Sequence, residues 1–248
     1  MKFTHIDSQA DCAEILAKQI EDLLSKDQKV LWLLSGGSNL SISVEALKIL
    51  KERCNSVFFI SARMSDKGNG VEAGLKENLA VILTDERYGL VGHPDSNWQQ
   101  LIDAGFDMEA VTSHPILENI SLDETVERFS QKYEALSKWA DVIVGQFGIG
   151  TDGHTAGVLP QTKGTADTGI ACVGEIFKHN HSRQLKNFTR ISLTLETIKK
   201  INIAFAFAFG ASKKDVIQTL QTADLSLDQM PAQVLKLIPE SYLYSDQV

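Results

Sequence analysis

Val30-Leu31-Trp32-Leu33-Leu34 runs straight into Ser35-Gly36-Gly37-Ser38. Five apolar residues without polar alternation describe a strand covered on both faces, as in a parallel sheet packed between helices. The glycines end it abruptly, and Val44, Leu47 and Leu50 follow at helical spacing. Strand, tight turn, helix is the opening of a βαβ unit. Upstream, Ile15, Leu16, Ile20, Leu23 and Leu24 predict an amphipathic helix over 8–24, capped by Asp7 or Ser8. Downstream, apolar runs at 57–60, 80–84, 142–147, 191–195 and 203–209 predict further strands. Ser121 and Glu124 have the spacing of a capping box and open a helix over 121–138. The alternation predicts a single three-layer, doubly wound α/β domain spanning 1–248, its mostly parallel sheet carrying helices on both faces. Residues 61–78 and 161–189 are polar, break the alternation and are expected to run over the surface.

Composition narrows the partners. The chain has 24 basic and 32 acidic residues, a net charge of −8, and no cluster of Lys and Arg. That balance excludes nucleic acid and an anionic membrane as expected partners and points to a small molecule. An anionic ligand would have to be held by a few placed cations and backbone N–H groups, because the global field repels it. Cys12, Cys54 and Cys172 are widely spaced and form no CxxC, so neither a disulfide framework nor a zinc site is expected. The first residues lack the apolar core of a signal peptide, and no apolar run reaches the ~18 residues of a membrane helix. The expectation is a cytoplasmic protein, monomeric or homodimeric.

Ligands of open α/β sheets bind outside the carboxyl ends of the strands. Four turns fall there: Ser35-Gly36-Gly37-Ser38, Thr84-Asp85-Glu86-Arg87, the run from Gly148 to Thr155, and Gly210-Ala211-Ser212-Lys213. The first suits an anion at a helix N-terminus, and equally suits a tight turn that needs positive φ. It lacks the Gly-Lys-Ser/Thr ending of a phosphate-binding P-loop. Gly148, Gly150 and Gly153 spell GxGxxG, but the motif stands past mid-chain, Asp152 would put a negative charge in a pyrophosphate cradle, and His154-Thr155 replace small helix-packing residues. A dinucleotide site is therefore rejected.

His154 reads either as a histidine bonded within a turn or as a general base oriented by Asp152. His5, His93 and His114 stand singly, and His179 and His181 lack a carboxylate or cysteine to complete a metal site, so no metal is expected. No GxSxG occurs, which leaves water as the nucleophile.

The stretches LLSGGS (33–38), TDERYG (84–89), DSNW (95–98), GIGTDGHTAGVLP (148–160), TRISLT (189–194), GASKK (210–214) and MPAQVL (230–235) resemble the 6-phosphogluconolactonase family, within the larger group that includes glucosamine-6-phosphate deaminases. They occur in the family's order across nearly the whole chain. The resemblance implies a metal- and cofactor-independent lactone hydrolase acting on a sugar phosphate. In it His154 would activate water, Asp152 would hold the imidazole tautomer, and Asp85 and Arg87 would position the sugar hydroxyls and carbonyl. Arg190 and Lys213 would bind phosphate with Ser35, Gly36, Gly37 and Ser38. Deaminases similar to this chain carry a glutamate five residues after the histidine and a tyrosine at the place of Arg87; here Leu159 stands at the first. A deaminase or isomerase, and a non-catalytic phosphosugar sensor, are the competing expectations. The chain departs from the lactonase pattern at Asn39, where Thr is usual, and at Gly157, where Ser is usual.

Overall fold

The structure, a computed structural model, describes residues 1–61, 72–174 and 189–248, and of 55–61, 72–74 and 174 the backbone alone. The chain opens with β1 (Lys2–His5), α1 (Gln9–Leu24), β2 (Val30–Leu34) and α2 (Leu40–Ser61). Next come α3 (Glu72–Asn78), β3 (Leu79–Leu83), β4 (Asp85–Arg87), α4 (Asn97–Asp103) and β5 (Thr112–His114). Then α5 (Leu122–Trp139), β6 (Val142–Gly148), β7 (Ala171–Gly174), β8 (Arg190–Leu193) and α6 (Leu195–Ile198) follow. β9 (Ile203–Phe207), α7 (Lys214–Thr222) and β10 (Glu240–Ser245) complete it.

Seven strands form one open sheet in the order β1-β10-β9-β6-β2-β3-β5, and every pairing in it is parallel. β2, β3 and β9 are buried at every residue, which requires cover on both faces and gives the doubly wound α/β arrangement. Trp32, Phe147, Phe205 and Phe207 are the bulky centre of this core. Each fully buried side chain of this kind contributes roughly 1.5–3 kcal/mol relative to exposure.

The helix starts follow local chemistry. Ser8 accepts hydrogen bonds from Ala10 N and Asp11 N, so Ser8 rather than Asp7 caps α1. Ser121 and Glu124 make the reciprocal capping box at the start of α5.

Three expectations are corrected. Residues 57–60 are not a strand; they belong to the last turns of α2. No Gly or Pro interrupts the chain after Leu40, so a helix already nucleated there continues through a run whose apolar content alone suits either state. The 191–195 run does form a strand, β8, but it pairs antiparallel with β4 and β7 in a separate three-stranded sheet. Within 61–78 and 161–189, residues 62–71 and 175–188, with His179 and His181, lie outside the described residues. The described remainder holds a helix at Glu72–Asn78 and a strand at Ala171–Gly174 rather than plain loop.

Candidate active site

From β2 the sheet grows one way through β3 to β5, and the chain then returns to place β6 on the other side of β2. That reversal is the topological switch point, where loops leaving adjacent carboxyl ends diverge and open a crevice. A cleft of about 230 Å³ lies there. Ser35, Gly36, Gly37 and Ser38 form one wall, and Gly148, Ile149, Gly150, His154 and Ala156 another. Asp85, Arg87, Asn97, Arg190 and Lys213 complete the lining. Every site residue expected from sequence except Asp152 lines this cleft, and Asp152 touches it through His154.

The turn after β6 is built around the His154–Asp152 pair. The Asp152 carboxylate accepts from His154 N at 3.1 Å and from His154 Nδ1 at 2.5 Å. Burial pushes the Asp152 carboxyl up, but the His154 hydrogen bond and charge outweigh it and hold it down at about 2. A carboxylate ionised at neutral pH can only accept, so Nδ1 carries the proton and the Nε2 lone pair is the basic position. Gly150 is glycine because a Cβ there would collide with the His154 ring and the Asp152 carboxylate. Gly153 has φ +85°, where a side chain would be strained. The GxGxxG spelling thus serves a histidine–aspartate turn, not a dinucleotide. Further bonds close the turn, from Gly150 N to His154 O and from Thr155 Oγ1 to Gly148 O.

The small sheet supplies Asp85, Arg87 and Arg190, and the turn after β9 supplies Lys213. Arg190 Nη1 donates to Asp85 Oδ2 at 3.1 Å, with both side chains under 10 % exposed. Burial lowers the Arg190 guanidinium pKa and Asp85 opposes it. Arg87 Nη1 is held by the Asp95 carbonyl at 3.0 Å. Lys213 Nζ donates to the Ile149 carbonyl at 2.5 Å; burial lowers its pKa and Asp152 opposes the shift. A protein of net charge −8 therefore gathers three cations in one crevice. In the first turn the glycines divide their roles: Gly37 has φ +70°, whereas Gly36 has φ −80° and lies against Asn97.

Three residues that position the site carried no assigned role in the sequence. Glu86 is 0 % exposed and accepts from Arg87 N, Ser96 Oγ, Asn97 N and Trp98 N at 2.6–3.0 Å. Burial pushes its carboxyl up against the pull of those four bonds. Asn97 Nδ2 donates to the Asp85 carbonyl at 2.9 Å. Asn39, the departure in the first turn, donates from Nδ2 to Phe147 O at 3.0 Å and Phe207 O at 3.4 Å, tying the turn to the ends of β6 and β9. At the other departure, Gly157 N donates to Ser192 Oγ at 3.0 Å, and a Cβ on Gly157 would come within 2.8 Å of Ser192 Cβ.

Among the described residues no group of three or more His, Cys, Asp and Glu is placed to hold a metal ion. Nor is any described helix long and apolar enough to cross a membrane.

Residues 6–241 match the family model described as glucosamine-6-phosphate isomerases/6-phosphogluconolactonase. The chain is 28 % identical to the 6-phosphogluconolactonase of Synechocystis over 170 residues, which is 64 % of this chain and 67 % of that protein. The 6-phosphogluconolactonase structure from Thermotoga maritima superposes with a TM-score of 0.73 at 15 % identity, covering 98 % of both chains. A monomeric glucosamine-6-phosphate deaminase superposes with a TM-score of 0.72 at 18 % identity, covering 100 % of this chain and 98 % of that one. At such identities the two superpositions establish the fold, which both enzymes share.

Proposed function

The chain belongs to the glucosamine-6-phosphate isomerase/6-phosphogluconolactonase family, and from that premise we propose that it hydrolyses 6-phospho-D-glucono-1,5-lactone to 6-phosphogluconate, the lactone-opening step of the pentose phosphate pathway. The observation that carries this reading is the hydrogen-bonded His154–Asp152 pair facing a cleft that also holds Arg87, Arg190 and Lys213.

His154 Nε2 takes a proton from water as the water oxygen bonds to the lactone carbonyl carbon. Asp152 keeps the proton on Nδ1 and stabilises the imidazolium that forms. The carbonyl oxygen becomes an oxyanion; when it collapses, the ring C–O bond breaks and the imidazolium returns its proton to the departing hydroxyl oxygen. A positioned general base supplies about 10²–10⁴-fold, and a fixed donor at the oxyanion about 3 kcal/mol more. A lactone is already an activated ester, so these contributions suffice without a metal or cofactor. Asp85 and Arg87 position the sugar hydroxyls and carbonyl. Arg190 and Lys213 take the phosphate with the backbone and hydroxyls of Ser35, Gly36, Gly37 and Ser38. Residues 1–248 act as one domain, as a cytoplasmic monomer or homodimer; the continuous core cluster from Cys12 to Leu243 supports the single domain.

The wild-type protein should accelerate acid release from fresh 6-phosphogluconolactone over buffer and release no ammonia from glucosamine 6-phosphate. Ammonia release without lactone hydrolysis would reassign the cleft to deamination. Binding of 6-phosphogluconate without either reaction would make the protein a sensor.

A further inference from the structure

One acceptor on the cleft wall has no donor among the described residues. Asn97 is 1 % exposed, its Nδ2 is committed to the Asp85 carbonyl, and among the described residues no donor reaches its Oδ1. The carboxamide cannot turn round to cure this, because flipping would set Oδ1 against the Asp85 carbonyl, acceptor against acceptor. It also displaces other groups: a Cβ on Gly36 would collide with Asn97 Oδ1. Gly36 has an ordinary negative φ, so its missing side chain answers to Asn97 and not to backbone strain.

The acceptor is held in place before any ligand arrives. Asn97 N donates to Glu86 Oε1 at 2.7 Å, while Ser96 Oγ and Trp98 N donate to Glu86 Oε2 at 2.9 and 3.0 Å. Glu86 is itself buried and binds this turn from both oxygens, so the backbone under Asn97 is fixed on each side. A buried acceptor without a donor costs stability, and native structures keep few of them. In a wall of a binding cleft the ligand is the natural source of the missing donor.

We propose that Asn97 Oδ1 is a specificity contact that accepts a hydrogen bond from a hydroxyl of the sugar-acid substrate. The inference rests on the phosphosugar reading above. Within that substrate, an ionised phosphate and the lactone carbonyl present acceptors, so a hydroxyl is the group able to donate. Asn97 then distinguishes a polyhydroxy acid phosphate from phosphate alone, and one hydroxyl of that acid from the others.

The test is calorimetric binding of 6-phosphogluconate, its monodeoxy analogues and inorganic phosphate to the wild type and to Asn97→Ala. Asn97→Ser is run in its place if the alanine variant does not fold. The substitution should weaken 6-phosphogluconate about tenfold and leave inorganic phosphate unchanged. One monodeoxy analogue should bind the wild type about tenfold more weakly than the parent, yet lose nothing further in the variant. Unchanged affinity for 6-phosphogluconate would overturn the proposal while leaving the phosphosugar reading intact. So would penalties that simply multiply for every analogue. A wild type that binds none of these compounds would remove the phosphosugar reading, and this proposal with it.

Discussion

Arg87 and Arg190 stand directly opposite one another in the antiparallel register of β4 and β8. Like charges facing across a strand pair are destabilising, and the Asp85 carboxylate at 3.1 Å from Arg190 offsets part of that cost. The remaining positive charge faces the cleft, where on the proposed reading the substrate phosphate completes the balance. On the proposed reading this is how an acidic protein takes a phosphorylated substrate: two of the three cleft cations come from positions 103 residues apart in sequence through one pairing of two short strands, and Lys213 adds the third.

Breaking the Asp85–Arg190 pair from either side leaves a buried charge uncompensated. Asp85→Asn and Arg190→Met should each cost roughly 3 kcal/mol in urea unfolding. The double variant should cost clearly less than their sum, because the second change removes the orphan left by the first. Strict additivity would show that the pair does not act as a unit.

Asp152 provides a pH signature. Its carboxyl is held at about 2, below the ordinary 3.8. A folded-state value below the unfolded one means that the pairing stabilises the fold fully above pH 3.8 and fades as pH falls toward 2. The stability difference between wild type and Asp152→Asn should therefore shrink as the pH falls from 4 to 2. A difference unchanged across that acid range would show that Asp152 is not held by His154 in solution.

Gly150 tests the same pair sterically. A methyl group at this position would displace the His154 ring and the Asp152 carboxylate. Gly150→Ala should lower kcat about 100-fold, as misplacement of a catalytic group by about 1 Å does, while circular dichroism stays that of the wild type. Wild-type turnover would mean that the glycine serves only the turn.

Much of this was legible in the sequence, and what escaped had physical reasons. Val30–Leu34 and Val142–Gly148 are buried on both faces and end at glycine-rich turns, so their apolar runs declare both the strand and the site beyond it. The same reasoning mistook 57–60, because four apolar residues suit a buried helix as well as a strand. β4 and β5 have three residues each, too few for any period to show. β1 and β10 were passed over as well; the buried positions of β10 are Ser241, Leu243 and Ser245, two of them polar, so its sequence carries no apolar alternation. The turns at 35–38, 84–87, 148–155 and 210–213 could be named because they follow strand-like runs, whereas Arg190, which opens β8, came only from the family resemblance. The Asp85–Arg190 bond could not be named, since it depends on a second sheet formed by segments far apart in the chain. Glu86 was hidden for a different reason: a charged residue beside a cleft suggests contact with ligand, and here it faces inward to hold backbone.

Glu86→Gln makes that last point measurable. The change keeps the shape but presents an NH₂ group to backbone N–H and hydroxyl donors that need an acceptor. It should cost roughly 1–3 kcal/mol of stability and lower activity by loosening Arg87 and Asn97. A variant as stable as the wild type would show that the four bonds to Glu86 contribute nothing net.

The proton acceptor is tested most directly by the rate of acid release from freshly prepared 6-phosphogluconolactone, with wild type and His154→Asn each measured against the spontaneous background. The wild type should exceed the background by orders of magnitude, and His154→Asn should fall by about 10²–10⁴-fold while still binding 6-phosphogluconate. A folded His154→Asn variant that turns over like the wild type would remove His154 as the base and contradict the mechanism.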